Sequence, residues 1–409
     1  MLRGLVTSLK NKLDKIGTQI AAVYVAVLVP TSRFFQFATG LGWRELGSEH
    51  VMNRQQIGIY PTDSVEYRHI EKIADALAEM GVSVNVDTTM SVTSEVGLFL
   101  AHRPGNKPGL AATSVCMLHD LSQSHPSWPN FWRYEPWGDF DYGILPNKLW
   151  GEMYAGSFIA DAVSSFVSEL VDNVEIENLM TGAEYKVRPD IPFYPRKGVK
   201  ILGWPKLDLQ GYKTSQWKRK DKRLSLVYAP SWEHDGRQDS FLKAISSLDV
   251  KIYIKQQFWE GSGGSHLEKI NEMAALHEGK WDNVVILDPK TDIFDVMAHC
   301  DVLVSEESST LIEAAMVGVV PLAVTDWKIP DTIPARLPNV PYDFITKISE
   351  SELKIELQKL MEPAYLSAEK KRLDDLESIR PTSSKPYKDI ADFLNSLLSE
   401  TSVPAMVAE

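Results

Sequence analysis

The sequence predicts an α/β protein built from two doubly wound, parallel-sheet domains of the Rossmann type. Three observations carry this. Apolar runs of strand length alternate with helical segments from Ile57 onward. The alternation breaks over residues 188–222, a stretch rich in Pro, Gly and basic residues, and restarts at Leu224. The chain, at 409 residues, is longer than one hydrophobic core organises, since domains run at roughly 100–200 residues. Strands that alternate with helices form a parallel sheet covered on both faces. The composition of 188–222 is that of an interdomain connection.

Residues 57–60 read as a strand. Pro61 follows, then Asp63 or Ser64 as the cap of a helix over 65–80. Val65, Ile70, Ile73, Leu77 and Met80 fall on one face of that helix, and Gly81 stops it. Residues 82–86 alternate as a strand and complete a β-α-β unit. Residues 96–101, 113–118 and 142–145 supply further strands. The second unit is more regular, with strands at 224–229, 250–254, 284–287, 302–304 and 320–324. Helices at 239–248, 266–276, 292–298 and 309–317 connect them. The tail over 350–399 is helical, with a Pro/Ser-rich break at 381–386, and 401–409 reads as a frayed end. The expected division is 1–200, 201–380, and a C-terminal helix and tail over 381–409 that returns to the first domain.

Composition narrows the function. Hydrophobic residues make up 44% and charged residues 24%, ordinary for a soluble globular chain. The formal net charge of −12 argues against broad nucleic-acid binding, which needs a basic footprint. Two cysteines, Cys116 and Cys300, make neither a disulfide framework nor a metal cluster and suit a reducing compartment. The longest apolar run, within 20–30, ends at a proline and is too short for a span of about 18–20 residues. A basic start precedes it, but no small-residue cleavage pattern follows, so a signal peptide is the lesser reading. Residues 1–18 place Leu2, Leu5, Val6, Leu9, Leu13 and Ile16 on one helical face, with Arg3, Lys10, Lys12 and Lys15 interspersed. Such a basic amphipathic helix either packs on its own domain or lies on an anionic membrane surface.

Ligands of open parallel sheets bind beyond the carboxyl ends of the strands, so the loops there are the candidates. One runs through Ser305, Glu306, Glu307, Ser308, Ser309 and Thr310 into the helix that Gly318 closes. Thr310 and Glu313 have capping-box spacing, and hydroxyls at a helix start suit a pyrophosphate. The other loop is His119-Asp-Leu-Ser-Gln-Ser-His125, directly after the strand at 113–118. His119 is a candidate general base, Asp120 a residue that orients a neighbour, and His125 the second choice of base. Trp128, Phe131, Trp132, Tyr134 and Trp137 follow as an aromatic-rich stretch suited to sugar rings or a lipid-linked acceptor, or to packing. Gly261-Ser-Gly-Gly264 lacks the Lys-Ser/Thr ending of a phosphate loop. Metal-ligand spacing is absent; Asp288 and Asp292 are the candidate carboxylates for a cation, and Asp292 reads better as a helix cap.

Several of these pieces occur together and in order. Gly203-Trp-Pro-Lys-Leu-Asp208, Leu226-Val-Tyr-Ala-Pro-Ser-Trp232, Val284-Val-Ile-Leu-Asp288, Asp292-Ile-Phe-Asp295, Asp301-Val-Leu-Val-Ser305, Ser308-Ser309 and Gly318-Val-Val-Pro321 run collinearly. His119-Asp-Leu-Ser122 and Phe140-Asp-Tyr142 precede them. Over residues 95–330 this set resembles the CDP-glycerol glycerophosphotransferase family, which builds teichoic-acid and capsule polymers on a GT-B fold. The chain departs from the pattern in three places. The strand after the Tyr-Ala-Pro motif ends in Lys255 without the family's histidine, "SDySS" becomes Ser305-Glu-Glu-Ser-Ser309, and the glycine after the first-domain histidine is Asp120.

The resemblance implies a GT-B transferase with two Rossmann-like domains facing a cleft. The first would bind the acceptor, and the second a nucleotide-activated donor. The group moved would be a glycerol phosphate or a sugar, and the acceptor a hydroxyl of a glycan, polymer or lipid-linked chain. It implies a donor site from Gly203, Pro230, Ser231, Trp232, His234, Lys255 and the 305–310 loop, with no cofactor and no metal. Work at the inner membrane leaflet, with the chain cytoplasmic or peripheral, is the matching location. Two readings from other classes stay open: a nucleotide-sugar epimerase of the same architecture, and a non-catalytic nucleotide-binding relic.

Overall fold

The computed structural model describes residues 56–61, 64–100, 107–118, 121, 137–151, 176–178, 184–185, 195–216, 223–230, 237–245, 247–256, 271–272, 275, 279, 281–306, 308–327, 332–333 and 343–401. The amphipathic pattern of 1–18, the apolar run at 20–30 and most of the helix expected over 266–276 lie outside these residues. So do His119, Asp120, His125, Ser231, Trp232, His234 and Glu307.

Two six-stranded, all-parallel sheets make the body. The first contains β1 (Gln56–Tyr60), β2 (Ser83–Val86), β3 (Ser94–Leu100), β4 (Ala111–Met117), β5 (Tyr142–Leu145) and β8 (Gly198–Ile201), in the order β2-β1-β3-β4-β5-β8. The second contains β9 (Ser225–Tyr228), β10 (Lys251–Ile254), β11 (Val284–Ile286), β12 (Val302–Ser305), β13 (Val320–Val324) and β15 (Thr346–Ile348), in the order β11-β10-β9-β12-β13-β15. A short antiparallel ribbon of β14 (Thr332–Ile333), β6 (Ile176–Asn178) and β7 (Glu184–Tyr185) joins chain that follows β5 to chain that follows β13. Among the described residues, the runs read as strands are all strands, with ends displaced by at most two residues. Three features were not expected from them. β8 lies inside the stretch read as a pure connection, β15 closes the second sheet, and the ribbon is new. β8 and β15 are edge strands of three or four residues with partly exposed side chains, so they carry no apolar alternation to detect.

The helices are α1 (Ser64–Glu79), α2 (Leu209–Gln216), α3 (Arg237–Ile245), α4 (Ile293–Met297), α5 (Thr310–Met316), α6 (Glu350–Leu360), α7 (Pro363–Asp374) and α8 (Pro386–Thr401). α1 buries Ile70, Ile73, Ala74 and Leu77, and α8 buries Ile390, Ala391, Leu394, Leu397 and Leu398. Both patterns follow the helical period. Together they cover one face of the first sheet, against Ile57, Ile59, Val96, Leu98, Val115 and Ile144. The last helix among the described residues therefore completes the core of the first sheet. The other face carries Tyr60 stacked on Phe99 at 4.5 Å between ring centroids, with Phe140, Trp137 and Trp150 beside them. In the second sheet Tyr228 stacks on Phe241 at 4.2 Å, and Trp327 meets both edge-on.

The same device ties the amino end of one strand to its neighbour in both halves. Asp141, just before β5, donates its N–H to Ser114 O at 2.9 Å and accepts from Ser114 N at Oδ2, also at 2.9 Å. Asp301, just before β12, donates to Ser225 O at 2.7 Å and accepts from Ser225 N at 3.1 Å. A cation neutralises each: Arg196 at 3.3 Å from Asp141, and Lys370 at 2.7 Å from Asp301. Both aspartates thus hold adjacent strands in register at the end of the sheet away from the carboxyl-end loops.

Candidate functional site

In the second sheet the chain steps from β9 outward to β10 and β11, then crosses back to β12 on the other side. Loops that leave the carboxyl ends at such a reversal part from one another and open a crevice. Here those strand ends are Ala229–Pro230 after β9, Lys255–Gln256 after β10, and Ser305–Glu306 at the end of β12. Lys255, Gln256, Ser305 and Glu306 are 8%, 6%, 0% and 0% exposed. Burying polar groups this deeply is unfavourable unless they are bonded. Ser305 Oγ donates to Ala229 O at 2.6 Å and lies 3.2 Å from Glu306 Oε2. It pins the end of β12 to the end of β9. Lys255 Nζ donates to Gln256 O at 2.6 Å and to Pro289 O at 2.8 Å, and so ties the loop after β10 to the turn after β11. Pro230 is buried beside them.

Ser308, Ser309 and Thr310 follow at partial exposure and lead into α5. Ser308 Oγ accepts from Thr310 Oγ1 at 3.0 Å and more weakly from Thr310 N at 3.3 Å. Ser309 occupies the N-cap with helical φ and ψ of −55° and −23° and makes no side-chain capping bond. This corrects the capping box expected from Thr310 and Glu313. Thr310 is the first helical residue and not the cap, and the Glu313 carboxylate is used elsewhere. Its Oε1 accepts from Trp204 Nε1 at 2.8 Å and from Lys206 Nζ at 2.7 Å, with Glu313 fully buried. At the far end of α5, Gly318 takes φ +75°, which lets Val319 N reach Ala314 O at 2.9 Å and ends the helix sharply.

Gly203, expected in the donor site, lies where the chain leaves β8. Its φ is +103°, and an added Cβ would sit 2.5 Å from Pro386 Cβ. The position is used for the close crossing between the chain leaving β8 and the start of α8. Asp292 caps α4, with Oδ1 accepting from Phe294 N at 2.7 Å, and Asp288 accepts from Lys290 N at 2.8 Å in its own turn. Each of these carboxylates is thus spent on local backbone.

The first sheet reverses between β1 and β3. β4 ends at Met117, so His119 lies two residues beyond a carboxyl end in the sequence. After β2, Asp87 organises the turn to β3. It accepts from the amides of Thr89, Ser91 and Val92 and from the Thr89 hydroxyl, at 2.6–2.9 Å. Burial pushes its carboxyl up, but the Thr89 hydroxyl and the three amides outweigh that and hold it well below the usual carboxylate range. Tyr60 Oη donates to Val92 O at 2.8 Å and braces the same turn. After β5, the fully buried Asn147 accepts from Trp150 N at 3.1 Å. Sequence reasoning passed over Gln256 and Asn147 and took Glu313 only for a capping partner. The only signal for Gln256 was its place directly after a strand, and Glu313 is bonded to residues more than a hundred positions away.

The fold is that of the wall teichoic acid polymerase TagF. One TagF structure aligns with a TM-score of 0.53 at 12% identity, covering 86% of this chain and 91% of that one. A TagF variant soaked with CDPG aligns at 0.52 and 14% identity, covering 86% and 90%. A further TagF variant aligns at 0.51 and 13% identity over 98% of each chain. No family model matches the sequence, and no curated protein matches it. Two all-parallel sheets flanked by helices, in this arrangement, are the GT-B fold.

Proposed function

We propose that this chain is a transferase that takes a glycerol-phosphate or sugar unit from a nucleotide-activated donor. It delivers that unit to a hydroxyl of a glycan, polymer or lipid-linked acceptor. The observation that carries this is the buried polar cluster of Lys255, Gln256, Ser305 and Glu306 at the strand-order reversal of the second sheet. A site that needs four buried polar side chains at a crevice is expensive for a purely structural strand end. The partly exposed hydroxyls of Ser308, Ser309 and Thr310 follow directly and offer donors to phosphate oxygens. The shared fold with TagF, a polymerase whose variant was soaked with CDPG, supports reading the crevice as a nucleotide site.

In the proposed reaction the acceptor oxygen forms the new bond, and the bond to the departing nucleotide phosphate breaks. The acceptor proton passes to His119 as general base. Charge builds on the leaving phosphates, and hydroxyl and amide donors at the 305–310 loop stabilise it without a metal. The acceptor would lie against the first domain, residues 1–200, and the donor against the second, residues 201–380.

A thermal-shift screen of CMP-, CDP-, UDP- and GDP-linked compounds tests the donor class, because a tight ligand raises the midpoint by mass action. Calorimetry of the best ligand should then show weaker binding to the Ser308→Ala/Ser309→Ala double variant, by about 1 kcal/mol per lost hydrogen bond. Unchanged affinity in that variant would put the phosphates elsewhere.

A further inference from the structure

The chain leaving β8 meets four separate parts of the molecule within a few residues. Leu202 N donates to Leu145 O at the end of β5, at 3.1 Å. Gly203 lies against Pro386 at the start of α8, and Leu209 N donates to Ser384 O at 3.0 Å. Lys206 O accepts from Lys72 Nζ, on α1 of the first sheet, at 3.0 Å. The Lys206 ammonium and the Trp204 indole N–H both end on Glu313 Oε1, in α5 of the second. One short segment is therefore bonded by its backbone to the first half and by its side chains to the helix that follows the proposed donor loop.

The Glu313 end of this link is chemically demanding. The residue has no exposed surface, and its Oε2 has no hydrogen-bond partner among the described residues. Trp204 and Lys206 thus supply the hydrogen-bond compensation given to a buried carboxylate. A buried carboxylate held by one partner pair is weak evidence for stability, because apolar residues of the same volume do as well. Its better-attested use is to fix one geometry. Glu313 stands four residues after Ser309, so the two share a face of the helix. Anchoring Glu313 fixes where that face points, and with it the hydroxyls between β12 and α5.

We propose that Trp204 and Lys206 are positioning residues for the donor loop. Acting through Glu313, they lock residues 305–310 in register with the first sheet, so that nucleotide binding depends on a segment that does not touch the nucleotide. This rests on the donor reading given above. It assigns the Gly-Trp-Pro-Lys stretch a role in orienting the loop and none in contacting the ligand.

The test uses the full chain and four variants: Lys206→Met, Lys206→Arg, Trp204→Phe and the Lys206→Met/Glu313→Gln pair. Three quantities are read: amide hydrogen exchange over 305–313, the thermal midpoint, and calorimetric affinity for whichever of CDP, UDP and GDP the wild-type chain binds. Lys206→Met should raise exchange over 305–313 selectively and weaken nucleotide binding by roughly tenfold or more, since it strands a buried charge. Lys206→Arg keeps the charge and should restore affinity to within about threefold. Trp204→Phe removes the indole N–H together with its five-membered ring but leaves the Lys206–Glu313 ion pair in place, so it reports on the link even where Lys206→Met does not fold. The neutral pair should recover the midpoint without recovering affinity. Exchange over 305–313 that stays at the wild-type level in Lys206→Met and Trp204→Phe overturns the proposal. So does increased exchange with full nucleotide affinity. A wild-type chain that binds none of the nucleotides sinks the donor reading instead, and local exchange alone then decides the link.

Discussion

Gly203→Ala separates two readings of one residue. The resemblance puts Gly203 among donor-site positions, whereas the structure uses it where the chain leaving β8 crosses the start of α8. Its φ of +103° lies where L side chains are strained, worth roughly 1–3 kcal/mol. The added methyl would also sit 2.5 Å from Pro386 Cβ, 2.7 Å from Pro386 Cγ and 3.0 Å from Thr382 Oγ1. A proline ring yields little, so overpacking adds roughly another 1–3 kcal/mol. The sum, about 2–6 kcal/mol, is a large fraction of the roughly 5–15 kcal/mol by which proteins are stable. At roughly 2–4 °C per kcal/mol for a domain of this size class, the midpoint should fall by about 5 °C or more. Urea unfolding followed by tryptophan emission reads the loss, because Trp204 is the next residue and is fully buried. Hydrogen exchange should rise first in α8, whose start must move to relieve the clash. A variant of wild-type stability that has lost nucleotide affinity would refute this reasoning and return Gly203 to the ligand site.

Three further outcomes are expected. His119→Ala should lower turnover by roughly 10²–10⁴-fold with donor affinity intact, and His125→Ala should lower it less; near-normal turnover in His119→Ala would leave Asp120 or His234 as the base. Removal of residues 1–18 should abolish flotation with anionic liposomes if the Leu2–Ile16 face docks on a membrane, and equal flotation of both forms rejects that docking. Asp87 has a depressed carboxyl, so its contribution to stability is present above the unfolded value near pH ~4 and is lost as pH falls through the lower folded value. Asp87→Asn should therefore lower stability by about 1–3 kcal/mol at neutral pH and flatten the acid limb of the stability profile; an unchanged acid limb would show that the turn does not depend on this charge.

The fold class was legible because central strands of a parallel sheet are apolar on both faces. Runs such as Leu-Val-Tyr at 226–228 and Val-Pro-Leu-Ala-Val at 320–324 announce themselves. Edge strands have no such obligation. The Gly-Val-Lys-Ile of β8 is half exposed, and its place is set by pairing with β5, which no local pattern encodes. The candidate site was legible to the extent that it sits at the carboxyl ends of strands, Lys255 directly after β10 and Ser305 as the last residue of β12. Glu313 was misread because capping-box spacing is a local signal, and its true partners are brought together only by the tertiary fold.

Asp141 and Asp301 will mislead any screen scored by activity alone. Each sits in a stretch that the resemblance highlights, and loss of either carboxylate should silence the protein. Yet Ser114, midway along β4, and Ser225, at the start of β9, lie on strands whose carboxyl ends carry the loops in question, so every ligand contact would survive the substitution. What would be lost is the alignment of two neighbouring strands, and with it the fraction of molecules that are folded. A library sorted in parallel for cellular abundance would drop both aspartates into the low-abundance class, while Ser308 and Ser309 variants would stay abundant and lose activity. That split would sort scaffold from chemistry in this chain without a substrate in hand.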